Sequence, residues 1–450
     1  MRRKLMVLLV IALGLVTSPA ATERDAGVSS RDGLVVCTSA PACDAGAAIL
    51  AEGGNAVDAA VATAFALAVT HPSAGNIGGG GFMVVRTASG EATTFDYREK
   101  APAAATRTMY LRNGKIDISL TDTGYLAPGV PGTVRGLALA HERFGKLAWS
   151  DVVAPAVELA ENGFVLSDSL ARSLNAQVAG PMARYPASVA AYGKPGGGKW
   201  IGGDRLALKD LAKTLRAIGS DGPDVFYEGW IADRIAADMA ANGGLITKKD
   251  LAAYEAKERE PVRGTYRGYD IIAMPPPSSG GVALIEMLNI LEPFDLKSKG
   301  RNSAESMHIQ IEAMRRAYLD RARYLGDPDF VDMPLQRLTS KEYGKALSRD
   351  IDLARATSSV ELGKDIVTKG QAGEPDETTH FSIVDRDGMA VSNTFTLEGG
   401  YGSHVVVKGA GFLLNNEMGD FNKHPGVTDL KGNIGTPANL IDPGKRMLSS

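Results

Sequence analysis

The strands that this sequence predicts come as hairpins, which restricts the chain to antiparallel sheets. Alternating side chains in 82–86 and 93–98 flank a turn at Ser89-Gly90, and 262–274 has strand character with a turn at Gly268. Helices occupy blocks of their own and do not alternate with single strands as in βαβ units. We therefore expect an α+β fold in which antiparallel sheets carry helical layers outside.

The most regular hairpin begins at Thr378. The chain leaves along 378–385, turns through three residues and returns along 389–397. With that turn, Thr378 lies directly opposite Thr396, with Cβ atoms about 4.5–5.5 Å apart. Glu398, two residues further on, points to the same face. A loop longer or shorter by one residue would break this alignment.

Other segments predict how the hairpins are packed. Asn55 is expected to cap an alanine-rich helix that reaches about Val69 and is buried, because it is apolar on nearly every side. The glycine-rich segment 75–81 lacks a following Lys-Ser/Thr, so we interpret it as close backbone packing and not as a phosphate-binding loop. The centre of the chain, about 131–256, is predicted to be mostly helical. Residues 340–377 are polar, with few aromatic residues, and predict a flexible, exposed stretch.

The first 21 residues have the pattern of a secretory signal. A basic start at 2–4 precedes an apolar run at 5–16 that is too short to span a bilayer comfortably, and Ser18-Pro19-Ala20 supplies small residues for cleavage. We therefore expect a periplasmic or secreted protein with no membrane attachment once the signal has been removed.

Cysteine usage, charge and histidine spacing limit the possible partners. An oxidising compartment permits a disulfide between Cys37 and Cys43, although two free thiols fit the sequence equally well. A net charge of -3 gives no support for nucleic acid or an anionic membrane as partner. The six histidines show no paired metal-binding spacing, so neither a metal nor a cofactor is predicted.

Short, distinctive motifs are spread along nearly the whole chain. They lie at 53–59, 71–72, 76–83, 97–102, 130–133, 275–281, 322–330, 377–382 and 413–418. On the basis of these motifs, the chain resembles the gamma-glutamyltransferase family of N-terminal nucleophile hydrolases. The resemblance covers about residues 34–450.

The resemblance implies a four-layer αββα sandwich, in which two antiparallel sheets lie between helical layers, and a precursor that cleaves itself. Residues 22–377 would form the large subunit and 378–450 the start of the small, catalytic subunit, the two intertwined in one domain. Cleavage between Glu377 and Thr378 frees an α-amine with a pKa of about 7.7–8.0, which can accept the proton of the Thr378 hydroxyl. Thr378 would then attack a gamma-glutamyl amide, as in glutathione, and water or an amino acid or peptide would resolve the ester. Thr396 would orient the attacking hydroxyl.

The resemblance also assigns residues to the glutamyl group. Arg98 matches the arginine that clamps the α-carboxylate, a task that suits a guanidinium. Ser449 and Ser450 match paired serines that bind the same carboxylate. Three acids fall at positions that hold the α-ammonium group: Glu398, Glu417 and Asp420. His380 is interpreted as structural, because the α-amine already supplies the base.

Two departures from the family pattern stand out. The pattern continues past Ser450 with a Gly-Gly pair whose N–H groups help form the oxyanion hole, so we expect this sequence to be a fragment of a longer enzyme. Loss of one such donor costs about 10²- to 10³-fold in rate. In the lid segment 422–439, Lys431 replaces a tyrosine of some relatives, which leaves open how the pocket closes and how hydrolysis balances transfer.

Three alternatives remain at this point. A relative that deacylates glutaryl-type β-lactam side chains has less need for Glu398, Glu417 and Asp420. A poly-gamma-glutamate depolymerase would need an open groove, which the sequence does not disclose. An unprocessed, inactive amino-acid-binding protein is the alternative from another class, and the intact set of Thr378, Thr396 and Arg98 speaks against it.

Overall fold

A six-stranded antiparallel sheet lies at the centre of the computed structural model, which describes residues 27–366, 378–429 and 434–449. Side by side, its strands are β1 (Gly33–Val36), β11 (Thr379–Asp385), β12 (Ala390–Thr396), β2 (Gly80–Arg86), β3 (Ala92–Asp96) and β8 (Lys257–Arg259). Three smaller antiparallel pairs are β4 (Leu111–Arg112) with β5 (Lys115–Ile116), β6 (Phe164–Val165) with β7 (Arg205–Leu206), and β9 (Val262–Tyr266) with β10 (Tyr269–Ala273). The predicted antiparallel pairing is confirmed at both hairpins, 80–96 and 262–273.

The helices of the described residues fall into an early pair, a central block and a late block. They are α1 (Ala40–Ala51), α2 (Ala56–Thr70), α3 (Ser119–Asp122), α4 (Thr133–Phe144), α5 (Trp149–Asn162), α6 (Asp168–Ala179), α7 (Pro186–Tyr192), α8 (Lys209–Asp221), α9 (Asp224–Tyr227), α10 (Trp230–Asn242), α11 (Lys248–Ala252), α12 (Gly280–Leu291), α13 (Leu296–Lys299), α14 (Ala304–Tyr324), α15 (Leu335–Leu338), α16 (Lys341–Arg349) and α17 (Ser359–Leu362). Short 3₁₀ helices lie at Pro181–Arg184, Glu417–Asp420 and Pro437–Asn439. The central block is helical, as predicted.

Helix α2 is buried along its whole length and lies against β11 and β12. Its N-terminus is capped as predicted: Asn55 Oδ1 accepts the N–H groups of Val57 and Asp58, at 2.9 and 3.0 Å. Asp58 in turn accepts the N–H of Asn55 at 2.9 Å, which completes a capping box. An apolar helix with no solvated face therefore supports one face of the central sheet.

The register of the β11–β12 hairpin is the one that the sequence predicts. Thr379 pairs with Phe395 and Val384 with Ala390. Continued by one residue, this register sets Thr378 opposite Thr396 at the end of the hairpin.

The glycine run explains how closely β2 can approach its neighbours. A Cβ atom at any position of 78–81 would collide with another part of the chain. The colliding groups would be the carbonyl oxygens of Leu413, Thr396 and Thr394 and the carboxylate of Glu99. The interpretation of this run as close backbone packing is therefore confirmed for Gly78 to Gly81.

The prediction of an exposed, flexible stretch from residue 340 is wrong for its first part. Helix α16 begins after the cap Ser340 and packs on α12, where Gly344 lies against Asn289. Tyr343 and Leu347 supply the apolar face, and the Tyr343 hydroxyl donates to Asp320 at 2.5 Å. A few apolar residues on one face are thus enough to pack a short amphipathic helix, even where the average composition of the segment is polar. Residues 367–377 lie outside the described residues.

The sequence was compatible with either a disulfide or two free thiols at Cys37 and Cys43, and the structure contains the disulfide. Cys37 and Cys43 are bonded, with Cα atoms 5.7 Å apart. Within the described part of the chain, no helix is both long and apolar enough to cross a membrane. The predicted signal at 1–21 lies outside that part.

The turn after β11 is tied to the start of α2 by one carboxylate, which provides a test of this fold. Asp385 accepts the N–H of Ala56 at 3.0 Å and the N–H groups of Asp387 and Met389, each at 3.0 Å. Asp385→Ala leaves these donors without their acceptor and should lower the free energy of unfolding by about 2–3 kcal/mol. Urea denaturation measures the loss. The control Asp387→Ala, at an exposed turn position, should cost about 0.5 kcal/mol or less, and equal losses in the two variants would contradict the assignment.

Candidate functional site

A cavity of about 570 Å³ opens beside the end of the β11–β12 hairpin. Its wall includes every predicted site residue that the structure describes: Arg98, Thr378, Thr396, Glu398, Glu417, Asp420 and Ser449. Glu377, Ser450 and Lys431 lie outside the described residues. Side chains from four distant parts of the sequence thus meet in one cavity, while the role of each remains a prediction.

Thr396 is held firmly beside the exposed Thr378. Its hydroxyl oxygen accepts the N–H of Glu398 at 2.8 Å, and its carbonyl accepts the side-chain amide of Asn76 at 2.8 Å. Asn76 also accepts the N–H of Gly79 at 3.0 Å and the Thr133 hydroxyl at 2.7 Å. Sequence reasoning gave Asn76 no role, although a lone polar residue within a glycine-rich loop was a visible signal.

Arg98 lies almost fully buried in the wall of the cavity, with 2% of its surface exposed. Nη1 donates to Glu417, Nη2 to Asp420, and Nε to the carbonyl of Met447 at 3.3 Å. Burial alone lowers the pKa of Arg98, but the surrounding carboxylates raise it above its ordinary value. The guanidinium is therefore a fixed positive charge, and it is paired with two of the predicted ammonium-binding acids.

A fourth acid, which the sequence reasoning missed, lies behind this arginine. Glu99 is fully buried, with its carboxylate 4.0 Å from Nη1 of Arg98. Burial raises the pKa of Glu99 to about 7, against the opposing effect of Arg98. The signal was its place directly after Arg98 in the motif at 97–102, but β3 ends at Asp96, so strand alternation does not predict where Glu99 points.

Two of the acids that face the cavity, Glu398 and Glu417, hold protons unusually tightly. Burial, with the charges of Asp420 and Glu417, raises the pKa of Glu398 to about 8. Burial also raises the pKa of Glu417 well above its ordinary range, although Arg98 opposes this. The site is thus poised to lose protons when a positive charge enters it.

Ser449 is fixed against the motif at 275–281. Its N–H donates to the carbonyl of Pro277 at 2.9 Å, and its own carbonyl accepts the Ser279 hydroxyl at 2.7 Å and Arg321 at 3.2 Å. This contact gives the motif a structural role, since it holds the chain around Ser449 at the cavity.

His380 contacts hydroxyl groups of its own hairpin. Its ring nitrogens lie 2.7 Å from the Thr394 hydroxyl and 3.2 Å from the Ser382 hydroxyl. Burial lowers the pKa of His380, so the imidazole is neutral at neutral pH. These contacts agree with a structural role.

The raised pKa of Glu398 makes a prediction about stability. A carboxyl group whose pKa is raised on folding stabilises the fold below its unfolded value of about 4.5, and this stabilisation is lost as the pH rises through about 8. The free energy of unfolding should therefore fall between pH 5 and pH 9, and Glu398→Gln should reduce that fall by about 1–3 kcal/mol. Urea denaturation at several pH values measures it. The control Glu52→Gln, at an exposed helix end, should keep the wild-type profile, and an unchanged profile in Glu398→Gln would contradict the prediction.

Comparison with known proteins agrees with this architecture. A family model described as Gamma-glutamyltranspeptidase matches residues 42–450. The glutathione hydrolase proenzyme of Escherichia coli (strain K12) is 48% identical over 424 residues, which are 94% of this chain and 72% of that protein. The acylase ACY 1 proenzyme of Pseudomonas sp. (strain SE83) is 41% identical over 94% of this chain and 74% of its own length.

A solved structure extends the agreement to the fold. The crystal structure of Helicobacter pylori gamma-glutamyltranspeptidase superposes with a TM-score of 0.72 at 45% identity, and covers 74% of this chain and 96% of its own. The similarity confirms the predicted α+β fold of N-terminal nucleophile hydrolases. The chain therefore belongs to the gamma-glutamyltranspeptidase family.

Proposed function

We propose that this protein is a gamma-glutamyltransferase with glutathione hydrolase activity that is activated by cleavage between Glu377 and Thr378. The observation that carries the proposal is the cavity itself. It brings the predicted nucleophile Thr378 and its partner Thr396 together with a buried arginine and a group of acids. A hydroxyl nucleophile next to a site for a zwitterion suits transfer of a gamma-glutamyl group.

Cleavage would turn Thr378 into its own base. The freed α-amine, with a pKa of about 7.7–8.0, accepts the hydroxyl proton while Thr378 Oγ attacks the γ-carbonyl carbon. The C–N bond of the substrate breaks, the leaving amine takes up the proton, and an ester remains on Thr378. Water or a second amine then attacks the ester, and Thr378 regains its proton. The mechanism requires neither a metal nor a cofactor.

Two observations support cleavage into a large subunit, 22–377, and a small subunit that starts at Thr378. Relatives are named proenzymes. The Helicobacter pylori chain is matched over 96% of its length and yet covers only 74% of this chain, as expected of one subunit of a cleaved relative. We infer that the two products stay together as a heterodimer, because β11 and β12 lie in one sheet between β1 and β2.

The charges of the cavity suit the α-carbon of a glutamyl group. That carbon carries one carboxylate and one ammonium group, so it offers a partner both to Arg98 and to the acids around it. A group that brings both charges adds no net charge to a cluster of largely buried ionisable side chains, where an unpaired charge would be costly. Ser449 and, by the family pattern, Ser450 would add hydroxyl contacts to the carboxylate.

Export to the periplasm or beyond is part of the proposal. The disulfide between Cys37 and Cys43 supports an oxidising compartment, in agreement with the signal pattern at 1–21. Extracellular glutathione and other gamma-glutamyl compounds would then be the substrates.

Replacement of the nucleophile tests the proposal. The wild-type protein should separate into two polypeptides on a denaturing gel and release the chromophore of a gamma-glutamyl anilide. Thr378→Ala removes the attacking oxygen, and should remain one polypeptide and lower release by at least about 10⁴-fold. The control Thr108→Ala, at an exposed position, should behave as wild type. A wild-type protein that stays in one piece would contradict the proposal.

A pair of substrates distinguishes gamma-glutamyl transfer from deacylation of glutaryl side chains. A glutaryl anilide has the same chain and carboxylate but lacks the α-ammonium group, so it offers no cation to the acids that are predicted to bind that group. We expect kcat/KM for the glutaryl anilide to be at least about 10²-fold lower than for the gamma-glutamyl anilide. A substrate that leaves buried polar groups of the site unpaired is strongly disfavoured. Equal kcat/KM values would favour the acylase alternative.

A further inference from the structure

A turn closed by the disulfide lies beside the start of β11, next to the predicted nucleophile. Cys37 directly follows the last residue of β1, and Cys43 lies in the first turn of α1. Their bond closes the turn 37–43, which carries Thr38 and Ser39 between the strand and the helix. The proposed catalytic site gives this turn no role.

The turn reaches the part of β11 that lies beyond its pairing with β1. That pairing ends at Val36 and Ser382. Past this point, the hydroxyl groups of Thr38 and Thr379 form a hydrogen bond of 3.1 Å. Thr379 is 1% exposed, so little water is available to replace Thr38 as its partner. Thr38 therefore helps to hold the residue that directly follows Thr378.

The backbone on both sides of Thr38 is anchored. The disulfide fixes it on the side of Cys37. On the other side, the Ser39 hydroxyl donates to the hydroxyl oxygen of Thr70 at 2.8 Å, in the last turn of α2. The carbonyl of Ser39 accepts the N–H of Cys43 at 2.9 Å. These bonds together fix the position of Thr38 between β1, α1 and α2.

Cleavage before Thr378 would make the start of β11 a chain end. Chain ends open locally more readily than the interior of a sheet does. Side chains alternate along β11, so Thr379 is buried while Thr378 lines the cavity. A contact that fixes Thr379 therefore also fixes the backbone from which Thr378 projects, without occupying the space that the substrate needs.

On the basis of the proposed function, we infer that Thr38 is a positioning residue for Thr378 and that the disulfide keeps it in place, so that reduction of the disulfide slows the reaction. The reductant is a small thiol, a class that includes the proposed substrate glutathione. One thiol attacks a sulfur of the disulfide, and a second thiol resolves the mixed disulfide. The two thiols are thereby oxidised to one disulfide, while Cys37 and Cys43 are reduced and each sulfur takes up a proton. Both cysteines are half-buried, so a small thiol can reach them.

Anilide release by the oxidised protein tests the role of Thr38. Thr38→Val keeps the shape of the side chain and removes its hydroxyl. It should lower kcat about fivefold, the effect of one net hydrogen bond, and leave KM within about twofold, because the residues that are predicted to bind the glutamyl group are unchanged. Thr38→Ser restores the hydroxyl and should recover most of the wild-type kcat. The control Thr87→Val removes a similar hydroxyl contact, to Ser89 at 2.8 Å in the turn between β2 and β3, and should behave as wild type.

Reduction tests the part played by the disulfide. The chain has two cysteines, so dithiothreitol acts on this bond alone. It should lower the kcat of the wild-type protein about threefold, whereas Cys37→Ser/Cys43→Ser should begin at the lowered value and not respond. Addition of Thr38→Val to that double variant should lower kcat no further than Thr38→Val alone, because both changes act through one contact. Hydrogen exchange at the amides of 379–381 should be faster in Thr38→Val and in the reduced protein.

Two results would overturn the inference and leave the proposed function standing. One is wild-type kcat and wild-type amide exchange in Thr38→Val. The other is a Cys37→Ser/Cys43→Ser protein that dithiothreitol slows as much as the wild type. An oxidised wild-type protein that releases no chromophore would instead contradict the proposed function, and amide exchange would still decide whether Thr38 holds the start of β11.

Discussion

The antiparallel pairing of β11 with β12 is the constraint on which the site depends. It places Thr378 directly before β11 and Thr396 at the end of β12, so that backbone hydrogen bonds of the sheet position the predicted nucleophile and its predicted partner. The glycines at 78–81 allow β2 to approach β12 closely within the sheet, and the buried helix α2 packs against β11 and β12. When a rigid sheet holds a reacting group in the correct position, this placement lowers a large part of the free-energy barrier to acyl transfer.

Charge balance is the second constraint, and it explains how so many ionisable groups can lie in and directly behind the wall of one cavity. Arg98 is buried with Glu417 and Asp420 as its partners, while Glu99 and Glu398 have raised pKa values. Protons and ion pairs thus keep this cluster of largely buried groups from carrying a large net charge. A ligand with one charge of each sign fits such a site better than an anion or a cation alone.

Local patterns in the sequence predicted the parts that depend on neighbouring residues. The helix cap at Asn55, the hairpin register up to Thr396 and the packing role of the glycine run follow from residue preferences at helix ends, turn length and backbone sterics. The resemblance to a family added Arg98 and the three acids, which local patterns alone do not single out.

Features that depend on distant contacts were missed. Asn76 and Glu99 acquire their contacts from residues far along the chain, so their places within motifs single them out without predicting what they contact. Helix α16 was missed because a polar average hides the few apolar residues that pack on α12.

The central claim is that backbone cleavage exposes a terminal nitrogen that activates its own side chain. Amino-terminal sequencing of the polypeptides in the mature protein tests it most directly. The account predicts one polypeptide that begins Thr-Thr-His-Phe, at Thr378. A mature protein in which no polypeptide begins at this position would contradict it.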